Sequence, residues 1–279
     1  MLKFLACLFM LIDHIGYYFE YAMPPTLYLV MRSIGRLAFP IFAWSVARGC
    51  ARTRNPWLYF LRMCLFAIPT EILFRKLNAI PGIPEYPTNV MITFALAIVL
   101  VFGYQMVTRA GLDVIASMRP ISATPNTAPT APRFDVRINL GGIELDSRLG
   151  LIIGVLMIAL SIAATALIKP DYSLFGIAAV LLFFVIHERV PEKQQAARSI
   201  GLYALLTFIF AVISIIASHR GVSWFAFIEC LSVAAVPLCY WFSREKKPAP
   251  LAKYAVYVFY PLHVTVLALL YLVIRQGIS

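Results

Sequence analysis

Long apolar runs alternate with short polar breaks along the whole chain. A helix needs about 20 apolar residues to cross ~30 Å of hydrocarbon. Windows of that length lie near 2–22, 27–49, 56–76, 89–109, 149–168, 171–189, 198–218, 222–242 and 252–275. In lipid only helices and closed barrels satisfy every backbone group, and these runs are too long and continuous for barrel strands. The pattern predicts an all-α, polytopic membrane helix bundle of about nine transmembrane helices, built as a single domain over 1–279. One connection is long, at about 110–147. Its first part, Ser117 to Pro132, is rich in Pro, Thr and Ala and predicts a flexible loop. Its second part, "FDVRINLGGIELDSR", alternates apolar and polar residues around Gly141-Gly142, a two-residue hairpin signal.

Composition agrees with the pattern. The chain is 61% hydrophobic and 13% charged, against about 25% charged in soluble domains. Its net charge of +11 is spread over many short loops rather than gathered in one patch, so no nucleic-acid partner is expected. The basic residues favour one side, which places the N-terminus in the cytoplasm and the C-terminus outside. Asp13-His14 interrupts the first apolar run and no A-x-A site follows, so the first span is expected to be retained. Cys7, Cys50, Cys64, Cys230 and Cys239 form no C-x-x-C pair, and no Cys/His cluster has ligand spacing; no metal is expected.

The informative residues are those that break the apolar windows: Asp13, His14, Arg32, Arg36, Arg62, Glu71 and His263. A charge at the bilayer centre costs roughly 2.5–3.5 kcal/mol on insertion scales, so such residues mark function or pair with one another. At ~1.5 Å of rise per residue, His14, Arg36 and His263 fall at similar depths in their windows. A polar chamber inside the membrane follows. Arg32 and Arg36 are spaced i, i+4 and share a helix face. Asp13 and His14 are adjacent and point about 100° apart, so Asp13 is expected to pair with an arginine of the second span while His14 faces the chamber. Pro40 leaves the carbonyl of Arg36 without its helical partner, and Pro261 does the same for Tyr257. Arg48 and Arg54 lie near the cytoplasmic end, with Arg62 about two turns deeper; together they could meet a phosphorylated ligand.

Three segments carry a resemblance. The first reads "LACLFMLIDHIGYYF", the second "MRSIGRLAFPIFAWSVARGCARTRN", and the last "YAVYVFYPLHVTVLALLY". In this order they resemble the TraX family of membrane acetyltransferases, part of a wider transmembrane acyltransferase group. "YFLRMCLFAIPTEILF", "TNVMITFALAI" and "PDYSLFGIAAVLLFF" extend the likeness over most of the chain. The family's D-Y-G appears here as Asp171-Tyr172-Ser173, and the 110–147 insert has no evident counterpart.

The resemblance implies acetyl transfer from cytoplasmic acetyl-CoA to an amine or hydroxyl. The acceptor would be a pilin N-terminus, a glycan or a small molecule, met at the bacterial inner (plasma) membrane. His14 is then the expected general base or acyl acceptor, since a neutral imidazole suits that task. Arg36 would hold Asp13 or stabilise the oxyanion. His263 would be a second acid/base or positioning group. Arg48, Arg54 and Arg62 would bind the CoA phosphates. Arg32, Glu71, Asn89, Asp171, Tyr172 and Tyr260 would contact substrate. Intramembrane Asp, Arg and His also build proton relays, so a proton-coupled transporter is the alternative, and a non-catalytic envelope assembly subunit a third reading.

Overall fold

The computed structural model describes residues 1–85, 88–118, 133–135, 144–218, 225–242 and 250–278. The described elements are, in order, α1 (Leu2–Tyr18), α2 (Pro25–Arg36), α3 (Ala38–Arg52), α4 (Pro56–Asn78), α5 (Val90–Met118), β1 (Arg133–Asp135), β2 (Glu144–Asp146), α6 (Ser147–Ile168), α7 (Ser173–Arg189), α8 (Glu192–Ser218), α9 (Phe225–Ile228), α10 (Val236–Trp241) and α11 (Pro250–Ile278). Among the described residues, six helical segments are long and apolar enough to cross a membrane: Pro25–Arg52, Pro56–Asn78, Val90–Leu112, Ser147–Ile168, Glu192–Ile216 and Tyr254–Arg275. This is a multi-pass membrane helix bundle.

Among the described residues, helices of spanning length do not confirm the expected count of nine. α1 and α7 have 17 residues each, roughly 26 Å at the usual rise. The window at 222–242 is broken among its described residues. A 3-10 turn, Glu229–Ala235, separates α9 from α10. Pro237 bears on the end of that turn, because it cannot donate to the Val233 carbonyl, which accepts from the Val236 amide instead. The second window breaks as Pro40 foretells: α2 ends at Arg36, and the Leu37 amide turns back to the Ile34 carbonyl at 3.1 Å. The Ser117–Pro132 loop lies largely outside the described residues, as do Gly141-Gly142. β1 and β2 do pair antiparallel, with Asp135 opposite Glu144. Asp146 then caps α6, its side chain accepting from the Arg148 amide at 2.8 Å.

Two helix contacts set the architecture. α6 turns its large side chains outward: Ile152, Val155, Leu156 and Leu160 are exposed, whereas Gly150, Gly154, Ser161 and Thr165 are buried. That inversion suits a helix whose outer face meets lipid, where helices associate through small residues. A Cβ added at Gly103 of α5 would lie 2.8 Å from the Gly154 carbonyl oxygen, so the two backbones touch. The second contact is α1 on α2, and it builds the site.

Consecutive spanning helices joined by short turns run antiparallel. Met1, Arg52 and Pro56 therefore share the near end of the bundle, and Tyr18, Pro25 and Asn78 the far end.

Candidate active site

Asp13 is the hub. A Cβ added at Gly35 would lie 2.2 Å from Asp13 Cβ, so only a glycine lets α2 come this close to the carboxylate. Arg32 Nη1 donates to Asp13 Oδ2 at 2.8 Å, and Arg36 Nη2 donates to Oδ1 and Oδ2 at 3.2 Å each. Both arginines thus use their shared face, as the i, i+4 spacing requires. Arg36 reaches further: its Nη1 donates to Glu229 Oε1 at 2.6 Å and to the Tyr172 hydroxyl at 3.4 Å. Arg36 is therefore committed to two carboxylates, while Arg32 donates to Asp13 through Nη1 and packs 5.7 Å over the Tyr17 ring.

His14 points away from this ion cluster, as its neighbour's pairing demands, and meets His263. The His14 Nδ1 to His263 Nε2 separation is 2.6 Å, with the ring planes 6° apart. On the other side of His263, Nδ1 lies 2.7 Å from the Phe259 carbonyl oxygen. A carbonyl can only accept, so that nitrogen carries the proton. In neutral His263, Nε2 must then accept, and His14 Nδ1 must donate. The chain of bonds leaves the lone pair of His14 on Nε2. Both rings are buried, at 7% and 6% exposure. Orientation of one ring nitrogen by a fixed acceptor on the other is how enzymes set a histidine's tautomer.

The segment before α7 closes the far side. Lys169, Tyr172 and Ser173 all have positive φ, at 49°, 61° and 37°. The Tyr172 ring stacks on Phe39 at 3.9 Å. Asp171 is tied by its backbone: its amide donates to the Thr88 carbonyl at 3.2 Å and its carbonyl accepts from the Thr93 hydroxyl. The positive φ of Ser173 is a backbone conformation that glycine adopts without strain.

Three cavities lie at successive depths. The central one, about 110 Å³, is lined by Asp13, His14, Arg32, Arg36, Asp171, Tyr172 and Tyr260 among others. An inner one of about 60 Å³ runs towards the near end, past Ser45, Tyr59 and Tyr257 to Lys3. Met10, Phe42, Val90, Phe94 and Tyr260 line both, so the two adjoin. An outer one of about 690 Å³ lies at the far end, lined by residues between Glu20 and Ser33 together with Ile228 and Leu231.

The structure therefore brings together Asp13, His14, Arg32, Arg36, Asp171, Tyr172, Tyr260 and His263. It does not bring in Glu71 and Asn89, expected at the substrate. Glu71 Oε2 accepts from the Asn89 amide at 3.1 Å and from its side chain at 3.3 Å, and Asn89 Oδ1 caps α5 by accepting from the Met91 amide at 2.8 Å. This pair, with Asn89 buried and Glu71 half-buried, pins the start of α5 to α4, and neither residue lines any of these three cavities. Of the arginines expected at CoA, Arg54 is exposed and Arg48 lies 4.5 Å over the Trp44 ring; neither lines the inner cavity. Arg62 does not line it either, although it lies on α4, one residue before Met63, which does. Two residues were missed. Lys3 lies at the inner cavity, and Glu229 binds Arg36. Glu229 interrupts an apolar window just as Glu71 does, so the same insertion argument marks it.

Among the described residues, no group of His, Cys, Asp and Glu could hold a metal ion. Comparison with curated proteins and with solved structures gives no match. The family model described as TraX protein matches residues 1–127 and 140–271, which narrows the stretch without a family counterpart from the expected 110–147 to 128–139. The chain belongs to the TraX family.

Proposed function

We propose that this protein is an integral membrane acyltransferase that moves an acetyl group from acetyl-CoA to an amine or hydroxyl acceptor. The near end is the cytoplasmic face of a bacterial inner membrane in this reading. The acceptor is related to a pilus, the envelope or export. The observation that carries the reading is the directed imidazole pair, which presents a basic nitrogen inside a cavity that adjoins a second cavity reaching the near end.

The chemistry assigns roles. Acetyl-CoA is a substrate, the acyl donor; Lys3 and Arg62 offer cationic groups to its phosphates, and its thioester arm follows the inner cavity. The acceptor X–H gives its proton to His14 Nε2 while X bonds to the acetyl carbon. The tetrahedral oxyanion so formed is stabilised by Arg32, which has donors beyond the one spent on Asp13. The C–S bond then breaks, and His14 returns the proton to the departing thiolate. Through each step His263 accepts from His14 Nδ1 and holds the ring. Asp13 and Arg36 act as positioning residues.

The test is acetyl-CoA binding to the purified protein in detergent, by calorimetry. Saturable binding is expected, weakened roughly tenfold, about 1.4 kcal/mol, in Arg62→Ala with Lys3→Gln. Absence of binding by acetyl-CoA and by longer acyl-CoAs contradicts the reading. The succession of three cavities also suits a proton-coupled carrier; solute uptake into proteoliposomes without any acyl transfer favours that alternative.

A further inference from the structure

The outer cavity and Glu229 have no part in the roles above, and their placement joins them. The cavity walls include Leu29, Ile228 and Leu231 with Glu20, Tyr28 and Ser33. Its lining is mainly apolar, and its polar groups sit on the segment 20–33 that leads to Arg32 and Arg36. Glu229 lies between the two wall residues Ile228 and Leu231, at the start of the 3-10 turn that breaks its window. One carboxylate oxygen, Oε1, is bonded to Arg36 of the central cavity. The other, Oε2, is buried and has no hydrogen-bond partner among the described residues. The side chain as a whole is 31% exposed.

A buried carboxylate oxygen without a donor loses hydration with nothing in return, and native proteins keep few of them. Glu229 itself lines neither cavity, but its neighbours Ile228 and Leu231 line the outer one and its ion-pair partner Arg36 lines the central one. The Arg36–Glu229 pair thus links the walls of the two. We propose that the outer cavity is the acceptor site: it takes an amphiphilic molecule by its apolar part, and Glu229 Oε2 receives the N–H or O–H of its polar head. Parting of Glu229 from Arg36 admits that head to the central cavity. The inference rests on the acyltransferase reading for the word acceptor, but the site itself is a binding site that can be tested without any transfer.

The probe is a twelve-carbon alkyl amine carrying a diazirine, with the matching alcohol as a second arm. It is photolabelled onto the full chain in detergent and mapped by mass spectrometry. Saturable label is expected on Pro25–Arg36 and Glu229–Ala235, competed by unlabelled dodecylamine. Glu229→Gln should lower labelling at sub-saturating probe about tenfold. Leu231→Trp, which adds bulk at the cavity wall and leaves the Arg36 and Glu229 side chains in the sequence, should abolish it, and both variants should keep the wild-type affinity for acetyl-CoA. Stronger labelling by the amine identifies an amine acceptor, and by the alcohol a hydroxyl acceptor; either keeps the site. Label elsewhere, no saturable label, or equal label in all three proteins overturns the proposal. Loss of acetyl-CoA binding by the wild type would instead remove the acyltransferase reading, with the labelling result standing.

Discussion

Two helix contacts in this bundle use the same device for opposite ends. α5 and α6 approach through Gly103 and Gly154, backbone against backbone, with Ser161 bonding across to the Leu96 carbonyl at 2.8 Å. α1 and α2 approach through Gly35, but there the space freed by the missing Cβ holds a carboxylate. The first contact is adhesive: it fastens a lipid-facing helix of which 17% of the spanning window is buried. The second positions charge: it carries Asp13 between two guanidiniums and turns the adjacent His14 towards His263. Close approach gained by a glycine thus has different value according to what fills the gap. Changes at the α1–α2 contact should therefore alter the chemistry, and changes at α5–α6 only the stability.

That contrast can be attacked in order of expected effect. His14→Ala should lower acetyl transfer about 10²–10⁴-fold, the usual contribution of a general acid–base group, with an unchanged thermal midpoint; near-wild-type transfer would remove His14 from the mechanism. Asp13→Ala should destabilise by about 1–3 kcal/mol, since it leaves part-buried Arg32 without its carboxylate and Arg36 with Glu229 alone. Thermal unfolding in detergent measures it, and a midpoint within a degree of wild type would show that the cluster is not a structural hub. Gly154→Ala should lower stability by about 1–3 kcal/mol through overpacking against the Gly103 carbonyl and Val107. Its KM for acetyl-CoA should stay as in the wild type, and a raised KM would break the division between the two contacts. Ser173→Gly should gain about 1 kcal/mol, because a left-handed backbone costs an L residue roughly that much. A lowered midpoint would mean the Ser173 side chain makes up for its strained φ.

The charge pattern disclosed most of the site because charges in lipid must be answered by partners. Asp13 with Arg32 and Arg36 followed from the helical repeat and a mismatch of 100° between neighbours. The breaks at Leu37 followed from Pro40. What the sequence hid was the answer to each polar residue. Glu71 and Asn89 looked like chamber residues, yet a carboxylate can spend its lone pairs on a helix start, and nothing in the local pattern distinguishes the two uses. Glu229 breaks its apolar window as Glu71 does, and the same insertion argument marks it; what the window hid was the 3-10 turn before Pro237. The imidazole relay depends on a contact between residues 249 apart in sequence, which no local periodicity encodes. For the basic residues, spacing did not give the lining of the inner cavity: Lys3 is there, and Arg48, Arg54 and Arg62 are not.

The central claim is that His14, directed by His263, transfers an acetyl group within the membrane. The most direct test uses membranes from cells making the protein, incubated with acetyl-CoA labelled in the acetyl group, so that the acceptor need not be known beforehand. Label passing into a membrane or envelope fraction with release of free CoA is expected for the wild type. His14→Ala should abolish it, and His263→Ala should reduce it while His263→Gln, which keeps an acceptor for His14 Nδ1, recovers part. Equal labelling by wild type and His14→Ala would contradict the account.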